Sequence, residues 1–171
     1  GDNGASKEGT EYGVTTKTNR FGVDTFFTRA AFHNLVLSEY DKIGGKEVIT
    51  AANYPLGWAQ AANTPFKFWK SDANAEGATH NPLILFYPKV IKEKGIRTQY
   101  SHLIDLFPTT LEVTGLKLPG NIKGIKQDSL QGTSLWFTVA DKEAASKHNQ
   151  QYYCIFGNRA IYKDGWKAAA A

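Results

Sequence analysis

Methionine is missing altogether from the 171 residues, and there is one cysteine, Cys154. A single thiol excludes a disulfide framework and any zinc site built from several cysteines of this chain. Long apolar runs are also missing. The longest, Leu83 to Tyr87, falls far short of the roughly 20 residues that a membrane helix needs, so no membrane partner is expected. No charged-then-apolar leader opens the chain, and a start at Gly1 without methionine implies a processed, engineered or internal beginning. Charge of one sign is not concentrated either. Lys and Arg number 20 against 16 Asp and Glu, and the tightest basic group, Lys89, Lys92, Lys94 and Arg97, is interrupted by Glu93. A nucleic-acid binder gathers its basic residues on one face or in one run, so these residues read as a solvated surface and no nucleic-acid partner is expected. Repeats and low-complexity tracts are absent apart from the Ala168 to Ala171 tail.

What is present is an ordinary globular mixture, 42% hydrophobic and 21% charged, which excludes a disordered chain. The length suits one domain with room for a core. Gly1 to Gly22 reads as loop. Val23 to Ile43 carries apolar residues at mixed three and four spacings, with Asp24 as a cap and Gly44-Gly45 as a stop, and predicts one or two helices. Asn53 to Ala62, holding Pro55, Gly57 and Trp58, reads as irregular. Thr64-Pro65 has the form of an N-cap followed by proline at the first helical position, predicting a short helix through Lys70. Leu83 to Tyr87, between Pro82 and Pro88, predicts a strand buried on both faces. Ser101 to Thr114 is the clearest helical stretch, with Pro108 dividing it in two and Gly115 ending it. The period then changes. Gln151 to Phe156, Arg159 to Lys163 and Trp166 to Ala169 are short β-type runs separated by Gly157-Asn158 and Asp164-Gly165. The fold class is therefore α/β, with an antiparallel meander appended.

The chain opens with Asp2-Asn3-Gly4. Taken alone this is a turn, because Asn and Gly tolerate positive φ. The same pair also offers side-chain oxygens of the kind hard cations bind, six to eight at a time for calcium. The four histidines, His33, His80, His102 and His148, show no metal-ligand spacing. Asp105 reads as a helix or loop anchor. Cys154, on a short strand, reads as a small core residue, and the four tryptophans as core aromatics.

The opening motif resembles the Asp-Asn-Gly motif of the sulfatases, within the alkaline-phosphatase-like superfamily, and the likeness continues in order along nearly the whole chain. Its carriers are Tyr54 to Ala61, Asn63 to Phe66, Lys70, Glu76-Gly77, Pro82 to Pro88, Gln99 to Thr109, Gly157 to Tyr162 and Asp164 to Lys167. The resemblance is to the arylsulfatase type. It implies that residues 1–145 are the C-terminal portion of a mixed-sheet catalytic domain with helices on its faces, and that 146–171 begin a small antiparallel sheet. It further implies that Asp2 and Asn3 are ligands of a divalent metal, usually calcium, and that Lys70 contacts the sulfate, with Lys67 as its rival because Lys70 lies one residue further from Glu76 than expected. The same resemblance implies that His102 is structural. Where the family has Glu-Gly-Gly followed by arginine, this chain reads Glu76-Gly77-Ala78-Thr79-His80, so His80 replaces the arginine at the rim. The formylglycine nucleophile arises from Cys/Ser-x-Pro-x-Arg. The residues two beyond the six prolines are Gly57, Lys67, Ile84, Val90, Thr110 and Asn121, none of them arginine.

The implied parent hydrolyses a sulfate-ester small molecule or a sulfated glycan, with a periplasmic or secreted lean. Its missing N-terminal half is the expected partner of this chain, which alone is expected to be inactive. A phosphoesterase or phosphonate monoester hydrolase of the same superfamily, and a non-catalytic binding remnant, are the alternatives.

Overall fold

The computed structural model describes residues 3–11, 13–15, 29–38, 40–42 and 52–170. In chain order the elements are β1 (Val14–Thr15), α1 (Arg29–Ser38), a 3-10 turn (Tyr40–Lys42), β2 (Ala52–Asn53), α2 (Leu56–Asn63) and α3 (Glu76–Thr79). A second 3-10 turn (Leu103–Asp105) leads into α4 (Leu106–Thr114), then β3 (Asn121–Ile122), β4 (Ile125–Lys126), α5 (Phe137–Ala140), β5 (Gln150–Ile155), β6 (Asn158–Lys163) and β7 (Trp166–Ala170). β1 pairs antiparallel with β2, β3 with β4, and β5, β6 and β7 form a three-stranded sheet in that order. This mixture of helices and small antiparallel sheets agrees with the α/β class. The chain divides into two compact units, one of Gly1–Pro82, Tyr153–Arg159 and Ala169–Ala171, the other of Leu83–Tyr152 and Ala160–Ala168.

In the first unit, α1 and the 3-10 turn lie inside the predicted helical stretch, whose flanks 23–28 and 43 fall outside the described residues. The irregular reading of Asn53 to Ala62 is corrected by α2. Pro55 precedes the helix, where its missing N–H costs nothing, and its carbonyl accepts from Trp58 and Ala59. Gly57 sits in the first turn, and Ala59, Ala61 and Ala62 supply the propensity that outweighs it.

The predicted helix through Lys70 is absent. Thr64 ends α2 instead, with its hydroxyl on the Gln60 carbonyl, and the Thr64–Pro65 peptide is cis. The amides of α2 hold the following loop irregular. Gln60 Nε2 donates to the Phe66 carbonyl and Asn63 Nδ2 to the Phe68 carbonyl.

The strongest constraint in this unit is a backbone crossing. A Cβ on Gly77 would overlap the carbonyl oxygens of Phe68 and Lys67, and one on Gly4 would overlap the carbonyl of Gly77. Ala78, in place of the family's second glycine, sits inside α3 and is buried, without positive φ. The helical backbone there needs no glycine.

The second unit contains the run Leu83 to Tyr87, and here the sequence expectation fails. No sheet includes it, and exposures of 47, 85, 39, 85 and 38% leave one side open to solvent and the other half-covered, with the Tyr87 ring 6.4 Å from that of Trp136. Burial on both faces requires strands beside the run and helices above it, and the described residues supply neither. Ser101 to Thr114 does divide, but before Leu106 rather than at Pro108, the position expected to open the second helix. The proline is the third residue of α4, where it forfeits no helical hydrogen bond, and Gly115 closes the helix at φ 69°.

The terminal strands match the predicted meander with one shift. The first two-residue turn is Phe156-Gly157 (φ 51° and 86°), and Asn158 opens β6 with its amide on the Ser71 carbonyl at 3.4 Å. The second is Asp164-Gly165, as read from the sequence (φ 47° and 90°). Cys154, expected in the core, is exposed on β5. The buried apolar residues among those described are Ala59, Ala73, Ala78, Leu135 and Ala160, while Trp58 and Trp166, also expected in the core, are 68% and 83% exposed.

Two glycine substitutions separate the crossing from ordinary propensity. Gly77→Ala is expected to lower stability by about 2–3 kcal/mol, because the clash is with backbone rather than with a movable side chain. Gly57→Ala, with no atom within 4 Å of its added Cβ, is expected to raise stability by about 0.5–1 kcal/mol. Thermal unfolding of the two variants checks both signs.

Candidate functional site

The glycine crossing lays the opening segment against the loop between α2 and α3. The Ala5 N–H donates to Asn63 Oδ1 at 3.0 Å, the Lys70 N–H to the Ala5 carbonyl at 3.0 Å, and the Gly77 N–H to the Lys67 carbonyl at 3.0 Å. The segments bearing Asn3, Lys67, Lys70 and Glu76-Gly77, scattered over more than seventy residues of sequence, therefore meet in one place. Asp2 lies outside the described residues; Asn3, next to it, is exposed.

The loop is strained where it carries the lysine. Phe68 (φ 64°) and Ser71 (φ 79°) are both left-handed and bracket Trp69 and Lys70. Such residues cost about 1–3 kcal/mol each and persist where surrounding contacts hold them. Here the Asn63 amide on the Phe68 carbonyl is one such contact.

The side chains around the loop pair selectively. Lys70 Nζ lies 2.6 Å from Glu8 Oε1, whereas Lys7 Nζ is 3.8 Å from Asp72 Oδ2 and 5.5 Å from the Trp69 ring centre. His80 stacks on Phe66, with ring centres 4.4 Å apart, and its Nδ1 lies 3.1 Å from Glu76 Oε2. The hydrogen bond from Lys70, and then its charge, hold the Glu8 carboxyl below the ordinary carboxylate value. The pair's stabilisation is accordingly present above the unfolded-state value and is lost as pH falls through the lowered folded one. Both side chains are substantially exposed, so the gain is at the small end of surface pairs.

The donors suit a hard cation in kind but not in number. Asn3 offers one amide oxygen, calcium takes about six to eight, and among the described residues no three His, Cys, Asp or Glu side chains converge. These residues alone do not fit a calcium ion.

A second titratable cluster lies in the other unit. Asp105 is fully buried and accepts from the His102 N–H (2.7 Å), the Thr133 N–H (2.8 Å) and His148 Nδ1, which is 2.8 Å from both carboxylate oxygens. Gln151 Oε1 takes the other ring nitrogen of His148 at 3.0 Å. Every partner is internal, so Asp105 is an anchor, as read from the sequence. His102 is structural too: it caps the 3-10 turn, its Nδ1 accepting from the Ile104 N–H. Burial first, and then the neighbouring His148, push its imidazole below the ordinary value, with Asp105 opposing. Sequence reasoning missed Glu8 and His148. Their partners stand 62 and 43 residues away, and no local spacing announces either pair.

Comparison with known proteins follows the site. Over 117 residues, 67% of this chain, the sequence is 30% identical to an uncharacterized sulfatase of the fission yeast Schizosaccharomyces pombe, covering 21% of that protein. Over 49 residues, 29% of this chain, it is 43% identical to arylsulfatase K of Xenopus laevis, covering 9% of it. No family model matches the chain. These similarities support a sulfatase family assignment, and the chain spans about a fifth or less of the length of these relatives.

The His102 environment gives a direct test. Its ring resonances are expected to titrate below 6.5, the ordinary value. Stability tied to its neutral form is present above the unfolded-state value and lost as pH falls through the lowered folded value. An NMR titration of the ring protons checks the midpoint.

Proposed function

We propose that this chain is the C-terminal part of the catalytic domain of an arylsulfatase-type sulfatase, together with the start of its small terminal sheet, and that its parent hydrolyses sulfate esters. The observation that carries the reading is the convergence of Asn3-Gly4, Lys70 and Glu76-Gly77 around the glycine crossing, in a chain similar to sulfatases. The open run Leu83 to Tyr87 agrees with a segment whose cover belongs to the rest of a larger domain.

In this reading the Lys70 ammonium faces the sulfuryl group and offsets the charge that gathers on its oxygens as the S–O bond breaks. Lys70 is favoured over Lys67 because its own N–H is bonded to Ala5, two residues beyond Asn3, and its ammonium reaches back to residue 8. Asp2 and Asn3 contribute two ligands to a calcium site completed from elsewhere in the parent, where the metal supplies Lewis-acid polarisation. The formylglycine nucleophile is likewise assigned to the rest of the parent. The substrate class is a sulfated small molecule or glycan.

In the full-length parent, Lys70→Ala is expected to lower kcat/KM on a chromogenic aryl sulfate by about 10²-fold or more, and Lys67→Ala to leave it near normal. The reverse result moves the assignment to Lys67. Faster turnover of the matched phosphate monoester replaces the sulfatase reading with a phosphoesterase one.

Calcium provides an independent measurement. Calorimetric titration of the isolated chain is expected to show no micromolar site, because water would fill most of the coordination sphere and little would be gained over the hydrated ion. A one-to-one micromolar site abolished by Asp2→Ala would show that the half-site is self-sufficient.

A further inference from the structure

We propose that Glu8 is the positioning residue for Lys70: it holds the ammonium at the place where the sulfuryl oxygens are met, a role that rests on Lys70 being the sulfate contact. Lysine is a flexible four-carbon stem ending in a point charge, so its head group has no fixed place unless something holds it. The structure holds Lys70 at both ends. Its backbone N–H is bonded to the Ala5 carbonyl, and its Nζ lies 2.6 Å from Glu8 Oε1.

Glu8 is itself presented from a pinned turn. Its N–H donates to Ser6 Oγ, the Ser6 N–H donates to the Tyr54 hydroxyl, the Thr10 N–H closes the turn on the Lys7 carbonyl, and the Leu56 N–H reaches the Thr10 carbonyl at 2.7 Å. Two bonds thus tie the turn to the segment leading into α2. The pairing is also selective, since the neighbouring Lys7 turns to Asp72 instead.

Geometry and charge then divide the ammonium's work. It has three N–H donors. Glu8 takes one, and the other two remain for anionic oxygens on the side away from the carboxylate, where repulsion between Glu8 and the sulfate is least. As an exposed pair, Lys70–Glu8 adds little to stability. Its consequence is the location of a charge.

A double-mutant cycle on the full-length parent tests this, read as kcat/KM on a chromogenic aryl sulfate with thermal unfolding in parallel. Glu8→Ala is expected to cost about tenfold with the melting temperature unchanged within two degrees or so, and to cost nothing further in the Lys70→Ala background. Glu8→Gln, whose amide oxygen still accepts from the ammonium, is expected to stay within about threefold of wild type. A Glu8→Ala effect that is absent, or that adds in full to Lys70→Ala, overturns the positioning role while leaving the sulfate contact standing. Glu8→Gln as weak as Glu8→Ala overturns it as well. Near-normal activity of Lys70→Ala overturns the sulfate contact itself, and this proposal falls with it.

Discussion

The candidate site depends on two backbones passing with no room for a side chain between them. Gly4 lies against the Gly77 carbonyl, and Gly77 in turn lies against the carbonyls of Lys67 and Phe68. A Cβ at either position would have to displace backbone, which has no rotamer into which to retreat. Once the strands cross there, the rest follows over short distances. Ala5 accepts from Lys70, Asn63 takes the Ala5 N–H, and the residues that the sulfatase resemblance singles out stand within a few residues of the crossing. The two glycines are thus explained by one contact. The alanine at position 78, by contrast, is buried in α3 with its side chain accommodated and no positive φ to require glycine.

The two carboxylate contacts show how burial decides what such a pairing does. Asp105 and His148 meet where the carboxylate has no access to solvent, and two backbone N–H groups complete its hydrogen bonding. Removing a partner there would leave a buried polar group without its hydrogen bond, so the pair acts as a structural commitment joining the start of α4 to the approach of β5. Lys70 and Glu8 meet in the open. Water screens their attraction, so little of it reaches stability, and the ammonium can exchange one oxygen partner for another at small cost. An anchor needs the first arrangement. A group that must meet an incoming anion needs the second.

How much of this was legible in the sequence follows the range of the interactions. Asp164-Gly165 announced its turn because the backbone demand is met by the two residues themselves, and Gly115 marked the end of α4 for the same reason. Asp105 was readable as an anchor, though not with its partner. Apart from Asn53 to Ala62, whose alanines gave a local helix signal, the failures are non-local. Thr64-Pro65 carries the local signature of a helix start, but the Gln60 and Asn63 amides take carbonyls of the loop that follows. Leu83 to Tyr87 carries the signature of a buried strand, but burial is a property of neighbours, and the described residues leave Ile84 and Phe86 uncovered. Cys154 was assigned to a core that its strand does not face. Glu8 gave no signal because its meaning lies 62 residues away.

The same distinction bears on how the chain's apolar residues are to be understood. The buried apolar residues among those described are alanines and one leucine, while Ile84, Phe86, Ile96, Phe156 and Trp166 are each more than four-fifths exposed. Alanines bury little area, so at about 25 cal/mol per Å² they contribute little of the hydrophobic stabilisation that a domain of this length draws upon. The local geometry of the site is nonetheless well determined, because it rests on backbone hydrogen bonds and on excluded volume. Those terms act over a few ångströms and do not wait for a core to close. A site that is ordered by short-range constraints, on a body whose larger side chains are uncovered, is what a segment of a larger catalytic domain should look like. What the first unit orders in this way is a lysine held by its counter-ion and an amide side chain beside a glycine crossing.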